Sequence, residues 1–235
     1  MRTLLRSVDG TRTLVVAASE RSDGDVHPLR VPPEVVRERQ LAATGRPWVL
    51  VDQVHGTDVH RADVHRAMGH GDASVRADVL VATAPSSPAL AVWAADCAPV
   101  ALIGHGGTMV LAHAGWRGLA AGVLDVAVDA LQDDPVSHAV LGPVIHPCCY
   151  AFGVEDAARV AHGVGAAVDD VVTSLHDRPA LDVPAAVAAA LARRGVALDV
   201  IGPCTGCDDR WYSHRVRGDA GRHALVAWFE DGGDD

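Results

Sequence analysis

Val79-Leu80-Val81-Ala82, Leu90-Ala91-Val92-Trp93-Ala94, Val100-Ala101-Leu102-Ile103-Gly104 and Met109-Val110-Leu111-Ala112-His113-Ala114 follow one another between residues 78 and 114. Each run has the length and the Val content of a buried strand. Almost no space is left between them for a crossover helix. The stretch therefore predicts antiparallel or mixed pairing rather than a pure βαβ wind.

Working outward, Leu14–Ala18, Val49–Gln53, Val140–Val144, Leu198–Ile201 and Leu225–Phe229 read as further strands. Helices are predicted over Pro33–Thr44, Leu119–Gln132, Val154–His162 and Pro184–Arg194. In the second, Leu119, Val123, Val126, Ala127 and Ala130 recur at helical spacing, with Asp125 and Asp129 facing away. The fourth opens on a proline and stops at Gly195, as a helix should. The fold class is α/β with a mixed α+β character. At 235 residues and 24.5 kDa the chain fits one domain, residues 1–235.

Hydrophobic residues make up 49% and charged residues 21%, which supplies a packed core and excludes disorder as the main state. Only 4% is aromatic, so Ala, Val and Leu must build that core. A net charge of −10 argues against nucleic acid as the main partner. All basic residues are Arg, which removes a Schiff-base or Walker A lysine. No run approaches the roughly 18–20 apolar residues of a membrane span, and no signal peptide is visible at the start. The five cysteines are an odd number, which favours reduced thiols in a cytoplasm over a secreted disulfide framework. His55, His60, His65 and His70 are spaced by five; such a row alternates faces on a strand and turns by about 140° per step on a helix, so it cannot line up as ligands. The acidic tail from Glu230 to Asp235 is expected to be solvated.

Three segments interrupt the apolar pattern: Asp52-Gln53-Val54-His55-Gly56, Ala95-Asp96-Cys97-Ala98-Pro99 and His113-Ala114-Gly115-Trp116-Arg117-Gly118. Each puts one reactive side chain, His55, Cys97 or His113, at a strand end, where a rigid sheet presents catalytic groups. Imidazole and thiolate are zinc ligands, and three of them with an open fourth position make a catalytic zinc pattern. A buried cysteine or a hydrogen-bonded histidine with no catalytic role has the same appearance in sequence. Gly115-Trp116-Arg117-Gly118 opens a helix whose free N–H groups, with Arg117, suit an anion such as phosphate, and Trp116 suits stacking on a flat ligand. A helix-entry turn with Trp116 in the core and Arg117 in a surface pair fits the same residues.

Gln53-Val54-His55-Gly56, Ala95-Asp96-Cys97-Ala98-Pro99-Val100 and His113-Ala114-Gly115-Trp116-Arg117-Gly118, in this order, resemble the YfiH-like family, whose members are called laccase-like multicopper polyphenol oxidases, peptidoglycan editing factors and purine nucleoside phosphorylases. The resemblance continues through Leu141-Gly142-Pro143-Val144-Ile145-His146-Pro147-Cys148-Cys149-Tyr150 and Cys204-Thr205 to Ser213-His214-Arg215 and Gly221-Arg222. It implies a sandwich with mixed sheets flanked by helices and a metal or catalytic site at His55, Cys97 and His113. It also implies phosphorolysis of adenosine, inosine or methylthioadenosine, with adenosine deamination as a companion activity. Here Ala151 replaces the usual Glu after Cys-Cys-Tyr, Val216 replaces a second Arg, and the Asn-containing N-terminal block is missing.

On that basis Arg117 and Arg215 are candidate phosphate holders, Trp116 a substrate contact and Asp96 an acid or base, or else a loop anchor. The partners implied are a purine nucleoside and phosphate, and the metal implied is zinc rather than copper. A multicopper centre uses His-x-His pairs, and the chain has none. Two alternatives use the same residues: a metal-free Cys97–His hydrolase acting on an amide or peptidoglycan precursor, and a nucleoside-binding member with reduced activity. Cys204-x-x-Cys207 has metal or redox spacing, but adjacent Cys148 and Cys149 are expected to point apart, so a second, structural zinc is not expected.

Overall fold

Two sheets lie face to face, and each carries helices on its other side. The structure is a computed structural model that describes residues 1–9, 12–62, 75–83 and 88–231. The strands are β1 (Arg2–Asp9), β2 (Arg12–Ala18), β3 (Trp48–Val49), β4 (Val59–Arg61), β5 (Val79–Thr83), β6 (Ala89–Ala94), β7 (Ala98–Gly104), β8 (Thr108–Ala114), β9 (Val136–Leu141), β10 (Val172–Leu175), β11 (Arg178–Leu181), β12 (Val200–Ile201) and β13 (His223–Asp231). The α-helices are α1 (Pro33–Thr44), α2 (Trp116–Ala120), α3 (Val123–Asp129), α4 (Val154–Val164), α5 (Val168–Val171), α6 (Val183–Ala192) and α7 (His214–Arg217). One sheet runs β1-β2-β13-β6-β3, the other β12-β9-β7-β8-β5-β4, and β10-β11 is a separate hairpin. Pairing is mixed, as expected: β8 is antiparallel to β5 and β7, while β3–β6, β4–β5 and β9–β12 are parallel.

Strand alternation explains why the sequence runs are apolar throughout. Leu14 and Val16, Leu90 and Val92, and Leu225 and Ala227 meet Leu80, Ala101, Ile103, Met109 and Leu111 in the gap between the sheets. The intervening Val100, Leu102, Val110 and Ala112 point the other way, onto Leu119, Val123, Leu124, Val160 and Val187 of the helices. Ala91, Trp93, Val226 and Trp228 face outward from the first sheet against Val36 and Trp48. A central strand is thus covered on both faces and needs no polar side.

The structure departs from the expected elements where backbone geometry overrides pattern. The expected helix over Leu119–Gln132 is two helices, because Gly122 takes φ 83° between α2 and α3. Val49–Gln53 pairs only at Trp48–Val49, then through a bridge from Asp52 to Arg76. The strand expected at Val140–Val144 starts earlier, at Val136, and stops at Leu141 before Pro143. Edge strand β1 escapes the apolar criterion because much of it is exposed. The β10–β11 hairpin turns on His176 and Asp177, at φ 48° and 60°, without the glycine that signals such a turn. His65, His70 and residues 232–235 lie outside the described residues. Among the described residues no helix is long and apolar enough to cross a membrane.

α4 packs on α2 at Gly163, where a Cβ would land on the backbone of Ala120. Alanine is worth about 1 kcal/mol over glycine in an open helix, but overpacking costs about 1–3 kcal/mol. Gly163→Ala is therefore expected to lower the denaturation midpoint. A raised midpoint would show that α2 can yield.

Candidate functional site

His113 sits one residue from the end of β8, on the strand face shared with Met109 and Leu111, so it points into the gap between the sheets at its rim. Cys97 immediately precedes β7, whose first residue Ala98 pairs with Ala114. His55 follows the β3 segment in a turn. That turn is anchored by Gln53, whose amide donates to Trp93 O (2.7 Å) and accepts from Trp93 N (2.9 Å). The structure brings these three residues together: one ligand atom from each lies within 4.8 Å of the others. Cys97 Sγ is 3.7 Å from His55 Nε2, and the two imidazoles meet edge-on at 4.8 Å between centroids. His113 is buried, while His55 and Cys97 are partly exposed.

Asp78, which the sequence showed only as the residue before a strand, organises the cluster. Its side chain is fully buried and its carboxylate accepts N–H bonds from Val54 (3.2 Å), His55 (3.0 Å) and Gly56 (2.7 Å). The same carboxylate lies 2.8 Å from His113 Nδ1. The second contact fixes the ring so that Nε2 is free to face Cys97, the arrangement by which a carboxylate orients a metal-ligating histidine. The first three hold His55 at φ 61°, a conformation a non-glycine residue keeps only when its surroundings compel it. Gly115 closes the ring: a Cβ there would come 2.5 Å from His55 Cδ2 and 3.3 Å from Cys97 Sγ.

Burial pushes the Cys97 thiol up, but the positive charge of His113, with hydrogen bonds from His113 and His55, outweighs it and brings the pKa down to about 6. Burial alone would lower His113, but the Cys97 charge and the Asp78 hydrogen bond raise it to about 9. Three N and S donors, one held by a carboxylate and two open to one side, fit a metal that needs a free coordination position. The donor set allows a metal without fixing which one.

Of the other predicted residues, Asp96 adjoins Cys97 in the chain, and Trp116 and Arg117 follow Gly115. Asp96, at φ 94°, accepts from Thr205 Oγ1 (2.6 Å) and Arg215 N (2.6 Å), so its carboxylate ties two loops to the residue beside Cys97. Arg215 is exposed and lies 4.8 Å over the Tyr150 ring. Arg117 is exposed and lies 4.4 Å over Trp116, which is half-buried and edge-on to Phe152. Helix α2 behind Arg117 has five residues, so its dipole adds little. Sequence reasoning assigned no role to Asp78, Gln53, Thr205, Tyr150 and Arg222. Burial, then the neighbouring Arg30, lowers Arg222, while Asp25, Cys97 and Asp96 oppose this, which puts its guanidinium in the field of the site.

Removing the Asp78 charge should loosen the whole arrangement. Asp78→Ala is expected to cost about 3–5 kcal/mol in denaturant unfolding, since it strands three N–H groups and an imidazole. Asp78→Asn should keep the fold and weaken zinc binding by about 10–100-fold in a competition titration. Unchanged zinc affinity in the Asn variant would mean that His113 orients itself.

A family described as multi-copper polyphenol oxidoreductase laccase matches residues 31–230. A relative from Escherichia coli named purine nucleoside phosphorylase YfiH is 42% identical over 123 residues, which is 51% of this chain and 48% of that protein, so the match spans about half of that relative. A Pseudomonas aeruginosa protein named purine nucleoside phosphorylase PA4543 is 36% identical over 210 residues, 85% of this chain and 82% of its own. The crystal structure of Neisseria meningitidis protein NMB0706 superposes with a TM-score of 0.77 at 26% identity, covering 97% of this chain and 98% of that one. With its fold and most of its length matched, the chain belongs to the YfiH-like family.

Proposed function

We propose that the chain is a purine nucleoside phosphorylase acting at the His55–Cys97–His113 cluster, with adenosine, inosine or methylthioadenosine as substrate. Relatives carrying that activity in their names match over most of both chains. The structural observation that carries the reading is the presence, with the cluster, of two arginines that no carboxylate neutralises. Among the described residues, neither Arg117 nor Arg215 pairs with a carboxylate; Arg117 rests on Trp116, the residue after Gly115, and Arg215 rests on Tyr150 and bonds its side chain. Such cations are available to a phosphate.

In phosphorolysis a phosphate oxygen bonds to C1′ as the C1′–N bond breaks, and the purine leaves with a proton on a ring nitrogen. Arg117 and Arg215 hold the phosphate in this account. Asp96 acts as a positioning residue, since its carboxylate fixes the Arg215 backbone and Thr205. Asp78 holds a proton at His113 Nδ1, which leaves Nε2 directed at the open side. His55, Cys97 and His113 would hold a Zn²⁺, which would supply Lewis acidity there; adenosine deamination is the companion activity we propose for the chain. The zinc deaminases' His-x-Glu is missing at both histidines, so any such deamination uses other proton carriers. Laccase chemistry, named in the family description, requires several coppers, and among the described residues one metal-type group contains histidine.

Incubation with adenosine, inosine and methylthioadenosine, with and without phosphate, tests the reading. Free base and sugar 1-phosphate should form only with phosphate. No base from any of the three would overturn it. Arg117→Ala should raise the KM for phosphate about 10-fold or more, the worth of a charged hydrogen bond pair, with little change in melting temperature, and Arg117→Lys should recover it only in part. A large loss of stability would make Arg117 structural.

The lowered Cys97 thiol favours one second reading, a metal-free cysteine hydrolase. In metal-free protein, Cys97 alkylation should rise as pH climbs through about 6, against about 8.5 for a free thiol. Zinc should then block the reaction until a chelator is added. Equal labelling with and without zinc would favour the hydrolase.

A further inference from the structure

The remaining four cysteines form a second cluster next to Thr205, which bonds Asp96. Cys148 and Cys149 lie in a short 3-10 turn, Pro147–Cys149, and Cys204 and Cys207 in a tight turn after β12. Contrary to the expectation that adjacent cysteines point apart, all four Sγ atoms lie within 4.8 Å of one another. Cys148 Sγ is 3.9, 3.8 and 3.5 Å from those of Cys149, Cys204 and Cys207, and Cys149 Sγ is 3.5 Å from Cys207 Sγ. A tetrahedron of thiolates about Zn²⁺, with Zn–S bonds of about 2.3 Å, has edges of about 3.8 Å. The four sulfurs therefore surround a common centre instead of sorting into two bonded pairs, and all five cysteines of the chain are unbridged.

Two further observations point to a held ion. Cys204 Sγ accepts the His146 N–H at 3.4 Å, and the Gly206 and Cys207 amides also reach it, a set of donors suited to a thiolate. Gly206 lies so close to Cys149 that a Cβ would come 2.8 Å from both Cys149 Cβ and Sγ, so the turn is shaped to admit that sulfur.

We propose that Cys148, Cys149, Cys204 and Cys207 form a closed, structural four-thiolate site for a tetrahedral divalent ion, zinc by its chemistry. It clamps residues 146–150 to residues 204–207. The first segment carries Tyr150, which lies under Arg215; the second carries Thr205, which holds Asp96 beside Cys97. Regular structure is sparse here: from residue 202 to residue 222 the described chain has one four-residue helix, α7, so few backbone ladders fix these loops. With all four positions taken by protein, the ion has no site for substrate.

The test uses the untagged, unmutated chain, purified and loaded with zinc under anaerobic conditions without added thiol. Native mass spectrometry counts the metal, and iodoacetamide labelling with peptide mapping reads each cysteine. Labelling of Cys148, Cys149, Cys204 and Cys207 should be on the order of tenfold slower with zinc than after chelation. The Cys97 peptide reports the other centre separately, so either site can fail alone. Equal labelling of exposed Cys148 and Cys207 with and without zinc would overturn the proposal. So would four cysteines that stay unlabelled until a reductant is added, the mark of disulfides. As an independent check, Cys97→Ser loaded with Co²⁺ should keep intense thiolate-to-cobalt charge-transfer absorption. Absence of that absorption in the folded Cys97→Ser chain would contradict the site.

Discussion

One buried carboxylate holds the candidate centre together. Removing an ionised carboxylate from water costs several kcal/mol unless hydrogen bonds replace its hydration. Asp78 regains that cost through three backbone N–H groups of residues 54–56 and the ring of His113. Burial raises its pKa, yet the His113 bond and the Gly56 and Val54 amides more than offset this and keep it below the usual carboxylate range. Because Asp78 stands at the start of β5, the strand that pairs with β8, the sheet fixes the distance from that carboxylate to His113. The His55 turn has no long ladder of its own, so the same carboxylate sets its conformation. A rigid sheet thus dictates where two of the three donors stand, and the β7–β8 pairing places the third.

Asp96, the residue before Cys97, repeats this device. Like His55 it is a non-glycine residue at positive φ, and its two carboxylate oxygens accept from the Thr205 hydroxyl and the Arg215 amide. Between them the two aspartates tie down four distant parts of the chain, residues 54–56, His113, Thr205 and Arg215. The four-cysteine cluster lies next to Thr205, where regular structure is sparse. The cation-bearing wall of the site therefore depends on side-chain links more than on backbone ladders.

The sheets were legible in the sequence because a strand covered on both faces leaves an uninterrupted apolar run, as at Leu90–Ala94 and Met109–Ala114. β1 and the β10–β11 hairpin were not, because edge exposure and a glycine-free turn remove the usual marks. The break at Gly122 was hidden because Val123, Val126 and Ala127 keep helical spacing across it. His55, Cys97 and His113 stood out as reactive side chains punctuating apolar runs. Asp78 gave no such signal: an acidic residue before a strand is ordinary, and only the fold shows that it is buried and what it binds. Gathering of the four cysteines was likewise beyond spacing alone, since it depends on two loops meeting through the bridge of Val144 and Cys204.

X-ray absorption at the zinc edge of the zinc-loaded Cys148→Ser/Cys207→Ser chain most directly tests the claim that Asp78 assembles a metal centre from His55, Cys97 and His113. With the four-thiolate cluster disabled, the account predicts one sulfur neighbour and two imidazole nitrogens. The sulfur should lie at about 2.3 Å and the nitrogens at about 2.0–2.1 Å, with one further light atom from solvent. A shell of oxygen alone, or a chain that binds no zinc while remaining folded, would contradict it.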